Sequence, residues 1–503
     1  MFNKSPIPPI FFKKDLNALV RFTSTVLTPV IWFRQKSTRA ISLANQSPIS
    51  PPVNREMRAL DRSFFKKQIT VIAAVFQDPT FLSKFTRHAK NDYLQLSGVN
   101  HIINLPLENG ETTKAVLLRH DIDNLNDVPS KVSKKSLEIL QEAKALLTTH
   151  TLSLDYNHWR ADEILHAILP ECLHHEIPTG FTTVGHIAHL NVRNEYLPYK
   201  NLIGEVIMDK NPRIRTVVNK LDSIDSKFRT FSMEVLAGEN LFQVEQNESN
   251  CKFQFDFRKV YWNSRLHTEH GRLINQFKPG SAVCDVFSGV GPFAIPAGKN
   301  RVFVFANDLN PESYKALMCN ITLNKTSSFV NAFNLDGAQF IKISPHLLLD
   351  YANKEKFIEL PIPKVHRTSH NKDGGKLLAN PVSMAIPKVF DHYVMNLPGI
   401  AIDFLTAFRG LYLDERLSVM TKEEGFQFPI IHVHCFHKAT LENRNPSTEE
   451  AILSLKERIS QSLGYDIPIS ALSTHYVRKV APTKDMYCVS FRLPREVAFA
   501  TLV

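Results

Sequence analysis

Short apolar runs end in turns and restart as helical patterns along the second half of the chain. This alternation restricts it to a parallel sheet covered by helices. The runs are Ala282–Phe287, Val302–Ala306, Val330–Leu335 and Tyr393–Met395. Helical stretches follow the first two, at Phe293–Ala297 and from Pro311 through Asn320. In open α/β sheets ligands bind outside the carboxyl ends of the strands. The residues just after each run are therefore the first candidates for a site.

The first turn reads Asp285-Val286-Phe287-Ser288-Gly289-Val290-Gly291-Pro292-Phe293. Gly289 and Gly291 permit a tight turn and close approach of a ligand to the backbone. A third glycine at dinucleotide spacing is missing, so a dinucleotide fits poorly. The second run ends at Asn307-Asp308-Leu309. Asp308 stands about twenty residues after the glycine turn, where an acidic residue can accept both hydroxyls of an adenosine ribose. The third run ends at Asp336-Gly337. There a carboxylate can accept from an adenine amino group while the next amide faces a ring nitrogen. Taken singly, each Asp also fits a helix N-cap. On successive strand ends they favour a nucleoside-bearing cofactor. The fourth run leads into Asn396-Leu397-Pro398. An Asn offers both acceptor and donors, so Asn396 suits a planar heterocycle held beside that cofactor. Upstream, the segment Tyr261–His270 mixes Arg265, Glu269 and two imidazoles.

The chain of 503 residues has a net charge of +11, which favours a polyanionic partner. No stretch approaches the roughly 18 apolar residues of a membrane span, so a soluble protein is expected. The six cysteines form no CxxC pair, and reduced thiols are the expected state. Asp15 is the sole acidic residue between Met1 and Asn54, against seven Lys and Arg. That composition suits a mitochondrial presequence, so residues 1–54 are expected to be a targeting segment.

Four regions follow from these shifts: 1–54, a small domain at 55–130, an α+β domain at 131–259 and a catalytic domain at 260–503. A mobile, Pro-, Lys- and Asn-rich insertion is expected at about 344–388. Helices are predicted at Ser136–Leu147 and Trp159–Leu169 from apolar spacing. Strands are predicted at His186–Val192, Leu202–Met208, Thr216–Lys220, Leu241–Glu245 and Cys251–Phe257. His186 and His189 read as strand residues. His432, His434 and Cys435 lack zinc-ligand spacing, so no metal is expected. Tyr476, Arg478 and Lys479 are candidates for phosphate contact.

Several segments together resemble the archaeal–eukaryotic type of tRNA (guanine-N1)-methyltransferase. They are DRSFFKK from Asp61, PTGFTTVGHIAHLNVR from Pro178, VYWNSRLHTEH from Val260 and CDVFSGVGPFAIPAGK from Cys284. ANDLNPESYKAL from Ala306, FNLDGAQF from Phe333, HYVMNLP from His392 and VRKVAPTKDMYC from Val477 continue the likeness. The resemblance runs from about Pro51 to Leu493 and fails at the insertion and the N-terminal segment. It implies a class I methyltransferase fold (α/β, Rossmann-like) behind two smaller α+β domains that grip tRNA. It implies contact of His270, Asp308, Leu309, Asp336, Gly337 and Asn396 with S-adenosylmethionine, and methylation of the guanine 3′ of the anticodon.

That chemistry fits the same residues. Guanine N1 carries a proton, so a base must remove it and charge then develops toward O6. A permanently charged, planar guanidinium such as Arg265 can stabilise that oxygen. Glu269 is the candidate base by proximity in sequence, and Asn396 the residue that holds the base edge. The rival readings are an aminocarboxypropyl transferase of the wybutosine pathway and a tRNA-binding protein without activity. A monomer is expected, in the mitochondrial matrix with cytoplasmic and nuclear pools.

Overall fold

The computed structural model describes residues 49–96, 98–106, 110–224, 228, 230–360, 383–439 and 447–501. The chain divides into two units, Met1–Ser50 and Pro51–Val503, of which the second is compact. All regular structure among the described residues lies in the second unit. The targeting segment expected at 1–54 falls almost wholly outside the described residues.

The catalytic region is a seven-stranded sheet. Its strands are β1 (Ala282–Asp285), β2 (Phe303–Asn307), β3 (Val330–Phe333), β4 (His392–Met395), β5 (Ile430–Lys438), β6 (Ser473–Ala481) and β7 (Lys484–Arg492). They lie in the order β3-β2-β1-β4-β5-β7-β6. The first five are parallel and β7 runs antiparallel between β5 and β6. The order reverses at β1, whose neighbours are β2 and β4. A crevice opens at such a switch point. β1 and β2 are buried along their whole length. That is why they read as continuous apolar runs and not as alternating ones.

Helices cover the sheet. They are α1 (His267–Ile274), α2 (Ala294–Lys299), α3 (Pro311–Leu323), α4 (Gly337–Glu355) and α5 (Thr448–Leu463). Each start has a local cause. Asn310 caps α3 with Pro311 in its first turn. Asp336 caps α4. Ser447 and Glu450 form a reciprocal capping box on α5, which Gly464 ends in the left-handed conformation.

The middle domain is a four-stranded sheet of Thr182–Val184, Ile187–Leu190, Thr216–Ile224 and Phe231–Gly238. Val184, Ile187 and Val218 belong to the same apolar cluster as the catalytic sheet. The hairpin Gln243–Glu248 and Cys251–Asp256 adds Phe253 and Phe255, which pack on Trp262. The first domain keeps a separate core around Ile72, Phe76 and Phe85.

Three sequence expectations change. Leu146–Leu154 is a strand that pairs along its length with Lys67–Val75. The first domain's sheet therefore extends past residue 130, and the predicted helix shortens to Lys134–Glu142. The strand expected at Leu202–Met208 is a helix, Lys200–Asp209. Leu202, Ile203, Val206 and Ile207 bury one helical face, a spacing that a β period does not give. Residues 344–355 belong to α4 and not to an insertion. Of the remainder, residues 361–382 lie outside the described residues. No helix among the described residues is long and apolar enough to cross a membrane.

Candidate active site

The carboxyl ends of β1, β2 and β4 open onto a cavity of about 230 Å³. Gly289 and Gly291 have φ of +55° and +96°, so the turn after β1 needs glycine twice. At Gly291 a Cβ would meet Ile295 and Leu317 at 2.7 and 2.8 Å. At Gly289 it would meet nothing, so that backbone lies bare on the cavity wall.

Asp308 lines the cavity. One carboxylate oxygen accepts from the Gly289 amide and the other from Asn310, each at 2.9 Å. The carboxylate is thus fixed before any ligand arrives. Burial raises its pKa and those two amides oppose the rise. Asp285 sits beneath the turn, fully buried and off the lining. Neither of its oxygens has a hydrogen-bond partner. Burial and then the charge of Asp308 push its pKa to about 8, against His434 and the Phe287 amide.

Asp336 is both a helix cap and a lining residue. One oxygen accepts from Ala338 and Gln339 at 2.9 and 3.1 Å. Gly337 is buried against Phe287, whose ring a Cβ would approach to 2.6 Å. Leu309 lines the same cavity and is exposed. His270 reaches it from α1, its Nδ1 2.5 Å from Glu248 and its ring edge-on to Phe293. Asn396 lines the opposite side after β4. Its Oδ1 and the hydroxyl of Ser288 are buried without partners. Unmet groups of this kind cost roughly 1–3 kcal/mol each, so the lining is built for a ligand with polar atoms.

A residue that the motifs did not single out ties these ends together. Asn307 is fully buried at the end of β2. Its amide nitrogen donates to the carbonyls of Val286 and Leu335, and its oxygen accepts from the Leu335 amide. One side chain thereby links the ends of three strands. Its signal was a polar amide closing an otherwise apolar strand.

Arg265 and Glu269 lie elsewhere. Arg265 lines a second cavity of about 680 Å³, which shares Tyr261, Trp262, Asn263, Arg478 and Val480 with the first. Its guanidinium donates to Thr182 of the middle sheet at 3.1 Å. Glu269 borders neither cavity. It is buried, accepts two 2.7 Å bonds from Arg272 and lies 2.8 Å from His434 Nε2. Burial works to raise its pKa, but Arg272 and His434 prevail and hold it at about 2. Glu269, His434 and Cys488 have ligand atoms within 4.8 Å of one another. Arg272 already places a cation on that carboxylate, which disfavours a metal ion there.

The sheet order, the glycine turn and the acidic strand ends define a class I, S-adenosylmethionine-dependent methyltransferase. Residues 244–370 match the TRM5/TYW2 methyltransferase domain and 161–241 the TYW2 N-terminal domain. The tRNA (guanine(37)-N(1))-methyltransferase of Schizosaccharomyces pombe is 49% identical over 446 residues, covering 88% of this chain and 96% of its own. That of Candida albicans (strain WO-1) is 48% identical over 456 residues, covering 90% and 99%. A solved structure described as the complex of aTrm5 and tRNALeu has the same fold. It is 19% identical, covers 84% of this chain and 100% of its own, and has a TM-score of 0.51. The chain belongs to the tRNA (guanine(37)-N(1))-methyltransferase family.

Asp308→Ala should weaken S-adenosylmethionine binding by about tenfold or more, the loss of one or two hydrogen bonds to a charged group. Affinity for tRNA should stay within about twofold, well under the 1.4 kcal/mol of a tenfold change. Calorimetry with each ligand separates the two. Equal losses would contradict the assignment of this cavity to the cofactor.

Proposed function

We propose that the chain transfers a methyl group to N1 of guanine 37 in tRNA, with S-adenosylmethionine as donor. The observation that carries this reading is the pair of adjoining cavities. One has acidic strand ends and buried, unmet polar atoms, and the other is lined by Arg265 and further cations. The relatives above carry that activity in their names.

The cofactor supplies an electrophilic methyl group on a sulfonium. Asp308 would accept the ribose hydroxyls. Asp336 would accept from the adenine amino group and the amide of Gly337 would face the ring. Leu309 would cover one side of the adenine. Gly289 would let the backbone come close, and Asn396, Ser288 and His270 would complete the wall; Gly291, also expected at the cofactor, lies off the lining and packs against Ile295 and Leu317 instead. Asp285, expected at the cofactor, lies beneath the turn and off the cavity wall.

The guanine enters from the second cavity in this reading. Asn396, on the wall of the first cavity, holds its edge. Arg265 faces O6, where charge grows as N1 loses its proton. In this structure Glu269 anchors the helix that carries His270, and to take that proton it would have to leave Arg272 and His434. The tRNA body spreads over the basic surface of one monomer. The composition of residues 1–54 supports a mitochondrial matrix pool beside cytoplasmic and nuclear ones, which import of a fluorescent fusion would test.

Nucleoside analysis of tRNA tests the reaction. Cells lacking the protein should lose N1-methylguanosine at position 37, and the purified protein should restore a mass of one methyl there. An aminocarboxypropyl adduct, or tight binding of tRNA with no turnover, would overturn the proposal.

A further inference from the structure

The second cavity has walls from two domains. The middle sheet supplies Lys220 and His189, β6 supplies Arg478, and the segment before α1 supplies Arg265. Among the described residues that line it there is no carboxylate. Several basic side chains elsewhere are different. Lys200, Arg215, Lys252, Lys259 and Arg272 all hold acidic partners.

Lys220 is half-buried, and its ammonium sits 4.3 Å from the ring centre of Phe231 and 5.7 Å from that of Phe257. Aromatic faces attract a cation but do not replace a counter-charge. Burial and then the charge of Arg265 push its pKa down. His189 is pushed to about 3 by burial and by the same two cations, so it is neutral at physiological pH. Lys220 and Arg265 line the same cavity, and the charge of Arg265 disfavours that of Lys220. Holding them in one partly desolvated cavity costs free energy unless an anion joins them.

We propose that this cavity is a phosphate seat in which Lys220 and Arg478 hold a backbone phosphate next to the target guanine. The inference rests on the proposed tRNA reaction. The cavity, about 680 Å³, has room for more than an inorganic anion and shares five lining residues with the cofactor cavity. A nucleotide that brings its base to Asn396 must bring its phosphates past this lining. Neutral His189 adds a hydrogen-bonding group and no further charge. Lys220 and Arg478 are therefore positioning residues, and Arg265 is left for the base.

The test is a binding cycle with tRNA assembled by ligation, carrying a neutral methylphosphonate at one linkage. Wild type should lose affinity when the linkage adjoining guanine 37 is neutral. Lys220→Gln should already be weak and lose little more. Its slope of log affinity against log salt should be shallower by about 1, the signature of one lost phosphate contact. Lys220→Arg should restore the sensitivity, which separates the seat from a folding defect. The inference is overturned if Lys220→Gln and wild type lose equally at that linkage, or if a linkage far from guanine 37 couples as strongly. A coupled cycle with no methyl transfer by wild type would sink the proposed reaction and leave the seat standing.

Discussion

Replacing Arg265 with alanine should lower kcat by about 10²–10³-fold, the range seen when one preorganised donor to a developing oxyanion is removed. The affinity for S-adenosylmethionine should barely change, because Arg265 lines the second cavity and not the first. The side chain is prepared for this task. Asn263 accepts from its backbone amide at 3.2 Å and Thr182 from its guanidinium at 3.1 Å. Neither partner carries charge, so the full positive charge remains for a ligand. Arg265→Lys should recover part of the loss, since it restores charge without the planar fork. Single-turnover methylation at saturating tRNA and cofactor gives the rate directly. An unchanged rate would remove Arg265 from the chemistry. A loss confined to KM for tRNA would make it a binding residue only.

Seven of the residues chosen from sequence meet around one cavity: Gly289, Asp308, Leu309, Asp336, Gly337, His270 and Asn396. All but His270 and Leu309, which the family resemblance implies, follow from one short-range rule, that a strand end plus a turn faces the crevice. Asp285 shows the limit of that rule. It is the last residue of β1 and points its carboxyl beneath the turn, where no lining exists for it. Glu269 and His270 show a second limit. They are adjacent in sequence, but successive residues of a helix diverge by about 100°. His270 therefore reaches the cavity while Glu269 turns to the sheet. Proximity in sequence does not tell which of the two side chains faces the cavity. The fold failed to read through at Leu146–Leu154 for a related reason. Its residues mix Leu with Thr, His and Ser on both faces, and pairing with Lys67–Val75 makes it a strand. The Glu269 cluster was invisible because its members come from α1, β5 and β7, with Glu269 and His434 165 residues apart and Cys488 farther still.

That cluster sets the largest stability effect. Glu269→Gln should destabilise the protein by about 3–5 kcal/mol, the cost of breaking a buried ion pair from one side. Glu269 is 3% exposed and Arg272 holds both its oxygens. His434 is fully buried beside it. Burial alone would lower the His434 pKa, but the sulfur of Cys488 and the carboxylate of Glu269 raise it to about 10. Without Glu269, two cations would face each other with no counter-charge. Glutamine fills the space, so the loss reports charge and not a void. The pH dependence has a definite sign. A histidine with a raised folded pKa contributes fully below its ordinary 6.5 and loses that contribution as pH climbs toward 10. Glu269, held down at about 2, contributes fully above its ordinary 4.5 and loses this only in stronger acid. The gap between wild type and Glu269→Gln should therefore be flat from about pH 4.5 to 6.5 and narrow from there toward pH 9. Urea melts across that range measure it. A gap that holds constant up to pH 9 would mean that His434 is neutral in the folded protein, and that Arg272 alone balances Glu269. The helix joined to the sheet by this cluster is the one that presents His270 to the cofactor cavity. A variant that survives at low temperature should accordingly bind S-adenosylmethionine more weakly than its distance from the cavity would suggest.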